Sequence, residues 1–482
     1  MKFNTRHAIW MFLLLLTNSN VNAQSSSYLL KVLEDIIEII NQSTTQVPIL
    51  NTLNQLPPPL TDEDFFQYSD EMVHLGNVLF YDKILSGNKN TSCASCHHGL
   101  AATGDGLSLS IGEGGSGLGV TRDTGYADDA VHERVPRNAP HVFNAGAKEL
   151  TVFFHDGRVF ADSSQPSGFT SPAGLDLPSG LDNALAAQAM FPVTSATEMA
   201  GQAGENPVAD QAAAGQLAGP GGVWDLLTQR IRDIPEYVDL FKQAFNDVNA
   251  ATDINFVHIA NALAAFEAVI WRADNSVFDQ FLRGDKGAMS PNQIAGMNLF
   301  YGDAGCAECH SGPLLGQSDQ FKSIAMIQLG PGKGDNAQGY DDGHDDFGRE
   351  RVTGNPLDRY KFRVLSARNA PLTGPWGHAG AYDDLRLLIK HHLDPIQATA
   401  DYDRTQVKLP NRADLDAIDF IVFDDAIRND LILASSDIMP RSLSEQQIDR
   451  LIDFLEAATD RKSVNLRNEV PKRVPSSLPI FD

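Results

Sequence analysis

Cysteine occurs at only four of the 482 positions of this chain, and the four residues form two pairs with the same spacing. A histidine follows each pair directly, giving two triplets: Cys93, Cys96 and His97, then Cys306, Cys309 and His310. Four cysteines in an exported chain can form two disulfides, but a disulfide scaffold has no use for these histidines. The repeated C-x-x-C-H pattern therefore indicates chemistry rather than cross-linking.

A C-x-x-C-H motif can hold a haem covalently. Its two thiols form thioether bonds to the vinyl groups, while the adjacent histidine reaches the iron from one face. Two copies predict two covalently bound haem c groups, with His97 and His310 as the first axial ligands. A thioredoxin-like redox pair and a metal knuckle are the alternatives for a C-x-x-C pair. Export of the chain favours haem, because c-type haem is attached outside the cytoplasm.

The first 23 residues predict that export. Lys2 and Arg6 precede an apolar run from Ala8 to Leu16, and small residues end the segment at Ala23. The run is too short to span a bilayer as a helix, so it is typical of a secretory signal peptide cleaved after Ala23. A periplasmic location is expected. No later apolar run approaches membrane-spanning length, so no membrane span is expected.

The charge balance excludes one class of partner. The chain has 62 acidic and 37 basic residues, a formal net charge of −25. Such a chain is not expected to bind a nucleic-acid backbone, and its charge favours cationic partners or simply keeps the protein soluble.

The elements that must position the two motifs are mainly helical. Apolar residues repeat at helical spacing in the segment 256–270, and this pattern stops near Gly284 and restarts at Ser290. A closing helix is predicted to begin at Ser444, with Gln447 completing a capping box. Its buried face is predicted to contain Ile448, Leu451, Ile452 and Leu455.

Both halves repeat one order: a helix, a C-x-x-C-H motif, a long irregular loop and a closing helix. We therefore predict a mainly α fold with two haem domains in tandem. The domains are placed at 65–284 and 285–482, after the signal peptide (1–23) and an N-terminal extension (24–64) of unassigned role.

Seven segments in a fixed order carry a family resemblance: HLGNVLFYDKILSGNKNTSCASCH, RNAPHVFNAG, FFHDGRVF, LAAQAMFPVTSATEM, GMNLFYGDAGCAECHSGP, DDFGRERVTG and FRVLSARNAPLTGPWGHAGAYDDL. Over residues 65–460 the chain resembles the bacterial dihaem cytochrome c peroxidases, a family that includes the MauG-type enzymes. The resemblance implies two cytochrome c-like domains with a calcium ion between them. It also implies that the N-terminal, peroxidatic haem reacts with peroxide and that the C-terminal, electron-transfer haem passes electrons.

The resemblance assigns roles to five further residues. Gln188 and Glu198 fall on the positions over the N-terminal haem. A carboxylate there can take a proton from one peroxide oxygen and return it to the other. Asn138, Thr373 and Pro375 fall on the calcium positions, the first through its side-chain oxygen and the others through backbone carbonyls. Oxygen ligands suit a hard cation.

At the N-terminal haem the chain departs from the family. A histidine sixteen residues after the first motif caps the resting haem in the classical enzymes, and here that position is Glu113, within SIGEG. A carboxylate is a weak ligand for this iron. His132, His98 and His141 are alternative ligands, each with a structural or surface role as the competing interpretation.

At the C-terminal haem the second axial ligand is Met in the classical peroxidases and Tyr in MauG. It lies fourteen residues after a histidine that corresponds to His378, which places His392 there. His391 is the alternative if the register shifts by one, and Met326 is a weaker candidate.

A further departure concerns the route between the haems. His155 stands in FFHDGR where the family usually has tryptophan before Asp-Gly-Arg. The usual electron route is therefore in question, and Trp376 is an aromatic residue that can contribute instead.

Taken together, these features predict an exported dihaem c-type oxidoreductase that reduces hydrogen peroxide at the N-terminal haem. Its electrons would come from a small c-type cytochrome or a cupredoxin. A MauG-like enzyme that oxidises residues of a protein partner and a non-enzymatic electron carrier are the alternatives. A homodimer is an open possibility.

Overall fold

A computed structural model describes residues 56–127 and 130–481. The predicted signal peptide and the extension as far as residue 55 lie outside the described residues. The described residues belong to one compact unit, Leu53–Asp482. No helix within them is both long and apolar enough to cross a membrane.

Helices dominate the described residues, as the sequence predicts. The α-helices are α1 (Asp70–Tyr81), α2 (Cys93–Cys96), α3 (Ala184–Ala189), α4 (Pro207–Ala213), α5 (Val223–Arg232), α6 (Pro235–Ala244), α7 (Phe256–Ile270), α8 (Val277–Leu282), α9 (Pro291–Tyr301), α10 (Glu350–Thr353), α11 (Leu385–Leu393), α12 (Pro395–Ala400), α13 (Ala413–Asp416), α14 (Ile421–Asp424), α15 (Ala426–Ala434) and α16 (Glu445–Ala457).

Strands are short. An antiparallel sheet has the order β1-β2-β3, and a second antiparallel pair joins β4 to β5. Their bounds are β1 (Val152–Phe153), β2 (Val159–Ala161), β3 (Phe169–Thr170), β4 (Gln317–Lys322) and β5 (Phe362–Val364). The mainly α expectation is confirmed, while the division into two cytochrome c-like domains stays a prediction.

The first half is built on the crossing of α1 and α7. The Ser69 side chain caps α1 by accepting from the Met72 N–H at 3.2 Å, and the Asn255 side chain caps α7. Gly76 lies at the crossing, where a Cβ atom would be 1.8 Å from the Ala262 carbonyl oxygen. Only glycine lets the two backbones approach this closely.

The second half repeats this arrangement with α9 and α16. The predicted restart at Ser290 and the capping box of Ser444 and Gln447 are both confirmed. Gly296 occupies the crossing, where a Cβ atom would be 1.7 Å from the Arg450 carbonyl oxygen. One detail of the closing helix is wrong: Ile452 is half-buried, and Phe454 is fully buried in its place.

Buried ion pairs join the two halves. Arg137 makes a bidentate contact to Asp346, at 2.7 and 2.8 Å, and a third bond to Asp156 at 2.7 Å. Arg368 pairs with Asp279 at 2.8 Å with both side chains buried. A buried charge is tolerated when it is paired and hydrogen-bonded in this way.

Candidate haem sites

The first C-x-x-C-H motif lies on the single turn of α2. The Ser92 N–H donates to the Ser95 hydroxyl at 3.0 Å, which stabilises the start of the turn. The His97 N–H donates to the Cys93 carbonyl at 2.9 Å, and the His97 Nδ1 atom lies 3.1 Å from the Thr103 carbonyl oxygen. Because Nδ1 is occupied, Nε2 remains for a metal. Burial lowers the pKa of His97, which keeps the ring in the neutral form that binds iron.

Cys93, Cys96 and His97 line one cavity. Apolar side chains form much of its surface, among them Phe80, Phe143, Phe153, Met199 and Leu263. None of the four cysteines is in a disulfide. Two available thiols and a histidine at the edge of an apolar cavity are what a covalently held haem needs.

A half-buried cation in the same cavity, Arg363, also fits a haem. Arg363 lines the cavity, and its Nε donates to the Phe154 carbonyl at 3.1 Å. No carboxylate of the described residues lies within salt-bridge distance of it, and burial lowers its pKa to about 10. Because an unpaired buried charge is costly, the carboxylates at the edge of a haem would be a suitable partner.

Gln188 and Glu198 line this cavity together with His97. Gln188 lies on α3, and Glu198 lies on a single π-helical turn, Ala196–Ala200. Isolated π-turns are frequent at functional sites. Glu198 is half-buried, and burial raises its pKa while the nearby Arg158 and Lys333 cations oppose that rise. The structure therefore brings together the pair that the sequence singled out.

Glu113 lies beside this π-turn but is not among the residues that line the cavity. The Glu113 N–H donates to the Thr197 carbonyl at 3.2 Å. Its carboxylate accepts hydrogen bonds from the side-chain amides of Asn88 and Asn90, at 2.7 and 2.8 Å. These bonds engage the Glu113 carboxylate within the protein.

Two of the three alternative histidine ligands lie outside the cavity lining. His132 is more than half exposed and lies 3.4 Å from Glu205. His98 is buried, its Nδ1 accepts from the Leu100 N–H at 3.0 Å, and it packs against Tyr81. His141 does line the cavity, with Nε2 3.4 Å from the Ser366 carbonyl oxygen.

The second motif follows a glycine at positive φ, Gly305, which begins a short 3-10 turn at Cys306–Glu308. The His310 N–H donates to the Cys306 carbonyl at 2.8 Å. The His310 Nδ1 lies 3.1 Å from the Leu365 carbonyl oxygen, so Nε2 again remains for a metal. Both motifs thus orient the ligand histidine through a backbone carbonyl.

His392 faces His310 across a narrow gap. The two ring centroids are 6.3 Å apart, and the rings are inclined by 52°. Two metal–nitrogen bonds of about 2 Å, each extended by a ring radius of about 1.1 Å, would separate opposed imidazole centroids by roughly 6 Å. The observed spacing therefore suits one iron atom between the two rings.

The neighbouring candidates are not arranged this way. His391 is fully buried and uses both nitrogens: Nδ1 bonds the Tyr382 hydroxyl at 2.8 Å, and Nε2 bonds the Ile324 carbonyl at 2.8 Å. In contrast, only the Nδ1 of His392 has a hydrogen-bond partner, the Leu388 carbonyl at 2.9 Å. Met326 packs in an apolar cluster against Gly377.

The predicted calcium ligands are an amide and two carbonyls. The Asn138 amide nitrogen donates to the Leu107 and Ser108 carbonyls, at 2.9 and 3.3 Å, which leaves its side-chain oxygen directed away from them. Thr373 and Pro375 flank a cis peptide bond between Gly374 and Pro375. Within the described ranges, no group of three or more His, Cys, Asp or Glu residues is arranged to hold a metal ion. Calcium stays a prediction.

A segment that begins in β5 connects the two sites. Arg363, Leu365 and Ser366 line the cavity of the first motif, while the Leu365 carbonyl also bonds His310 of the second. His155 lines the same cavity, and the Arg363 N–H donates to its carbonyl at 2.8 Å. Trp376 is not among the cavity-lining residues, and its Nε1 donates to the Ala370 carbonyl at 3.1 Å.

Comparison with known proteins agrees with this geometry. The di-haem cytochrome c peroxidase family model matches residues 70–287. Cytochrome c551 peroxidase of Pseudomonas aeruginosa is 29% identical over 331 residues, which are 69% of this chain and 74% of the relative. Along this stretch the chain is similar to the di-haem cytochrome c peroxidases. These relatives support an oxidoreductase of the peroxidase type.

Other members and solved structures extend the comparison. Methylamine utilization protein MauG of Methylorubrum extorquens is 28% identical over 67% of this chain and 69% of the relative. A MauG-like protein associated with microbial copper homeostasis covers 88% of this chain and 99% of its own, with a TM-score of 0.51 and 23% identity. The diheme peroxidase BthA from Burkholderia thailandensis E264 has a TM-score of 0.51 and 16% identity over 85% of this chain and 93% of its own. These structures show a shared fold.

Four cationic residues of the cavity were missed by the sequence reasoning: Arg137, Arg158, Lys333 and Arg363. Three lie inside segments of the family resemblance, RNAP, DGR and FRV, and that location was a signal that could have found them. Lys333 lies in the segment PGKG, outside those segments. A lysine between two glycines was the available signal.

Proposed function

We propose that this protein is an exported di-haem peroxidase that reduces hydrogen peroxide at the N-terminal haem, with electrons relayed through the C-terminal haem. One observation carries the proposal: Gln188 and Glu198 line the same cavity as Cys93, Cys96 and His97. A non-enzymatic electron carrier has no need of a carboxylate there. The overall reaction takes two electrons and two protons and converts one peroxide to two waters.

When bound, the haem would supply an iron atom that binds peroxide and electrons for cleavage of the O–O bond. Cys93, Cys96 and His97 would hold this group. Glu198 would take a proton from one peroxide oxygen and return it to the other, which would leave as water. Gln188 donates a hydrogen bond that orients the peroxide.

An open coordination position on the N-terminal iron is part of this proposal. Glu113, at the position of the capping histidine, is engaged by Asn88 and Asn90. The arrangement supports an iron that accepts peroxide without prior reduction of the protein.

At the C-terminal haem, Cys306 and Cys309 hold the group, and His310 and His392 are the two axial ligands. The 6.3 Å spacing of the two rings supports this pair. Two nitrogen ligands stabilise ferric iron more than a methionine thioether does. A calcium ion held by Asn138, Thr373 and Pro375 completes the proposed cofactors.

The expected electron donor is a small c-type cytochrome or a cupredoxin with a basic docking face. The formal charge of −25 attracts such a partner at long range. Export, predicted from residues 1–23, places the enzyme in the periplasm with these donors.

A MauG-like oxidation of residues on a protein partner is the second candidate function. The proposed His310–His392 pair and the absent capping histidine favour it, because a harder-to-reduce C-terminal haem suits storage of oxidising equivalents. The replacement of the family's tryptophan by His155 disfavours it.

Steady-state and single-turnover measurements separate the two functions. Purified holoprotein is mixed with hydrogen peroxide, with and without a reduced basic cytochrome. Rapid peroxide-dependent oxidation of the cytochrome supports the peroxidase. A long-lived oxidised protein that does not react with the reduced cytochrome supports the second function. Haem spectra that do not change on addition of peroxide contradict both functions.

A further inference from the structure

A lysine from the second half of the chain reaches the cavity of the first motif. Lys333 lines the cavity with His97 and Glu198, and its N–H donates to the Asp345 carbonyl at 3.0 Å. No carboxylate of the described residues lies within salt-bridge distance of its ammonium group. The charge is therefore not explained by an ion pair that stabilises the fold.

The loop that carries Lys333 has a strictly limited conformation. Gly330, Gly332 and Gly334 all have positive φ, between 74° and 80°. A Cβ atom on Gly332 would lie 2.1 Å from the His344 carbonyl oxygen, and one on Gly330 would lie 2.2 Å from the Leu109 side chain. Backbone in this region is costly for other residues. The positive φ of all three glycines, and the close contacts of Gly330 and Gly332, thus fix the backbone on both sides of Lys333.

Three nearby cations, Arg137, Arg158 and Lys333, lower the pKa of Glu198. They differ in whether a carboxylate already pairs with them. Arg137 is paired with Asp156 and Asp346, and Arg158 is paired with Asp156. Lys333 has no such partner. The Ser195 hydroxyl adds a hydrogen bond to Glu198. The remaining titratable groups of the cavity are Cys93, Cys96, His97, His141, His155, Glu267 and Arg363.

We propose that Lys333 is a positioning residue of the peroxide reaction, which keeps Glu198 ionised so that its carboxylate can accept the first proton. The proposal rests on the function proposed above. Glu198 would take the proton from one peroxide oxygen and return it to the other, which would leave as water, while Lys333 neither gains nor loses a proton. The two electrons for O–O cleavage would be supplied by the bound haem groups.

The sign of the expected pH effect follows from charge. Burial raises the pKa of Glu198, and Lys333 opposes that rise. Removing the ammonium group therefore raises the pKa further, so the carboxylate becomes protonated at a higher pH. Glu198 works as a base only when ionised, and the acid limb of the reaction must then move to higher pH.

The first test compares Lys333→Met with Lys333→Arg, which retains the charge. The rate of the peroxide-induced change in the haem spectrum is measured by stopped flow across the pH range. In Lys333→Met the rate below the acid limb should fall about tenfold and should approach the wild-type rate at high pH. Lys333→Arg should recover most of the acid-side rate. An unchanged profile, or an equal loss at every pH, would overturn the proposal.

The second test needs no turnover. Difference infrared spectra follow the carboxylic acid C=O stretch of Glu198, identified as the band that disappears in Glu198→Gln. Its titration midpoint should move to higher pH in Lys333→Met, and an unmoved midpoint rejects the proposal. Lys333→Gln replaces Lys333→Met if the latter lacks full haem content. If peroxide leaves the wild-type haems unchanged, the proposed function fails, while this titration still decides the role of Lys333.

Discussion

The two C-x-x-C-H sites of this protein share their motif and differ in what faces the ligand histidine. Opposite His310 the structure places the ring of His392, at a spacing that suits a single iron. His97 instead lines a cavity that contains Gln188 and Glu198. In the function proposed above, the second site would therefore saturate its iron, whereas the first would leave room for a small substrate and a proton-transferring carboxylate.

The difference does not originate in the supporting helices. Each half crosses two helices at a glycine, Gly76 or Gly296, where a Cβ atom would approach a carbonyl oxygen to within 1.8 Å. Each motif also orients its histidine through a backbone carbonyl. What differs is the segment that returns over the haem face: the π-turn at 196–200 in one half and helix α11 in the other.

The largest effect on the peroxide reaction is expected from replacing Glu198, the carboxylate that distinguishes the first site from the second. Glu198→Gln should slow the peroxide reaction about 10²- to 10⁴-fold, the range for loss of a general acid–base group, without loss of haem. Stopped-flow spectra give the rate, and pyridine haemochrome spectra give the haem content.

A matched control for Glu198 is the other glutamate of the cavity. Burial raises the pKa of Glu267 to about 8, so it is mostly protonated at pH 7 and is a poor acceptor for the peroxide proton. Glu267→Gln should slow the reaction less than tenfold. Equal losses in both variants would remove the special role of Glu198.

The second prediction concerns the site of the second motif, where His392 is replaced. His392→Met should raise the potential of one haem, within the ~0.8 V range that axial ligands control, because a thioether favours ferrous iron. The substitution should also introduce the weak near-infrared band of a methionine-ligated ferric haem. Redox titration with spectra measures both changes, and the N-terminal haem should not respond.

His391→Gln is the control for this substitution. Both nitrogens of His391 are already hydrogen-bonded, so its replacement should leave both haem spectra unchanged. If His391→Gln alters the spectrum and His392→Met does not, the assignment of the second ligand moves by one residue.

The third prediction concerns the scaffold that the two sites share. Gly76→Ala and Gly296→Ala should each destabilise the protein by about 1–3 kcal/mol or more, because the added methyl group overlaps a backbone oxygen. Thermal unfolding followed by circular dichroism measures the loss. Gly287→Ala is the control, since the nearest atom to its added Cβ is 3.4 Å away. Similar losses of stability in Gly76→Ala and Gly296→Ala would support equivalent helix crossings in the two halves. A loss of stability in only one of them would contradict this equivalence.

The smallest expected effect is a spectroscopic feature of the wild-type protein. Electron paramagnetic resonance of the oxidised holoprotein should contain a high-spin component from an N-terminal iron without a strong sixth ligand, beside a low-spin C-terminal haem. An entirely low-spin spectrum would mean that a side chain binds the first iron, and His141 would be tested first because it lines the cavity.

Local signals predicted much of the framework. The capping boxes at Ser290 and Ser444 mark real helix starts, and the periodic apolar residues of 256–270 form α7. The prediction that Ile452 is buried was wrong, because Ile452 and Phe454 lie at opposite edges of the buried stripe and the packing of Phe300 on α9 covers the edge with Phe454. Periodicity specifies a face of a helix but not its exact rotation.

The covalent haem motifs were determined by the sequence alone, because two thiols and a histidine within five residues need no distant partner. Family resemblance added Gln188 and Glu198 from a conserved order of segments. The tertiary structure decided what no local pattern contains: that the ring of His392 lies beside that of His310, and that Lys333 from the second half lines the same cavity as Glu198 from the first. Both depend on contacts between residues far apart in the chain. Such contacts are formed by the packing of whole helices and loops, and spacing along the sequence does not specify them.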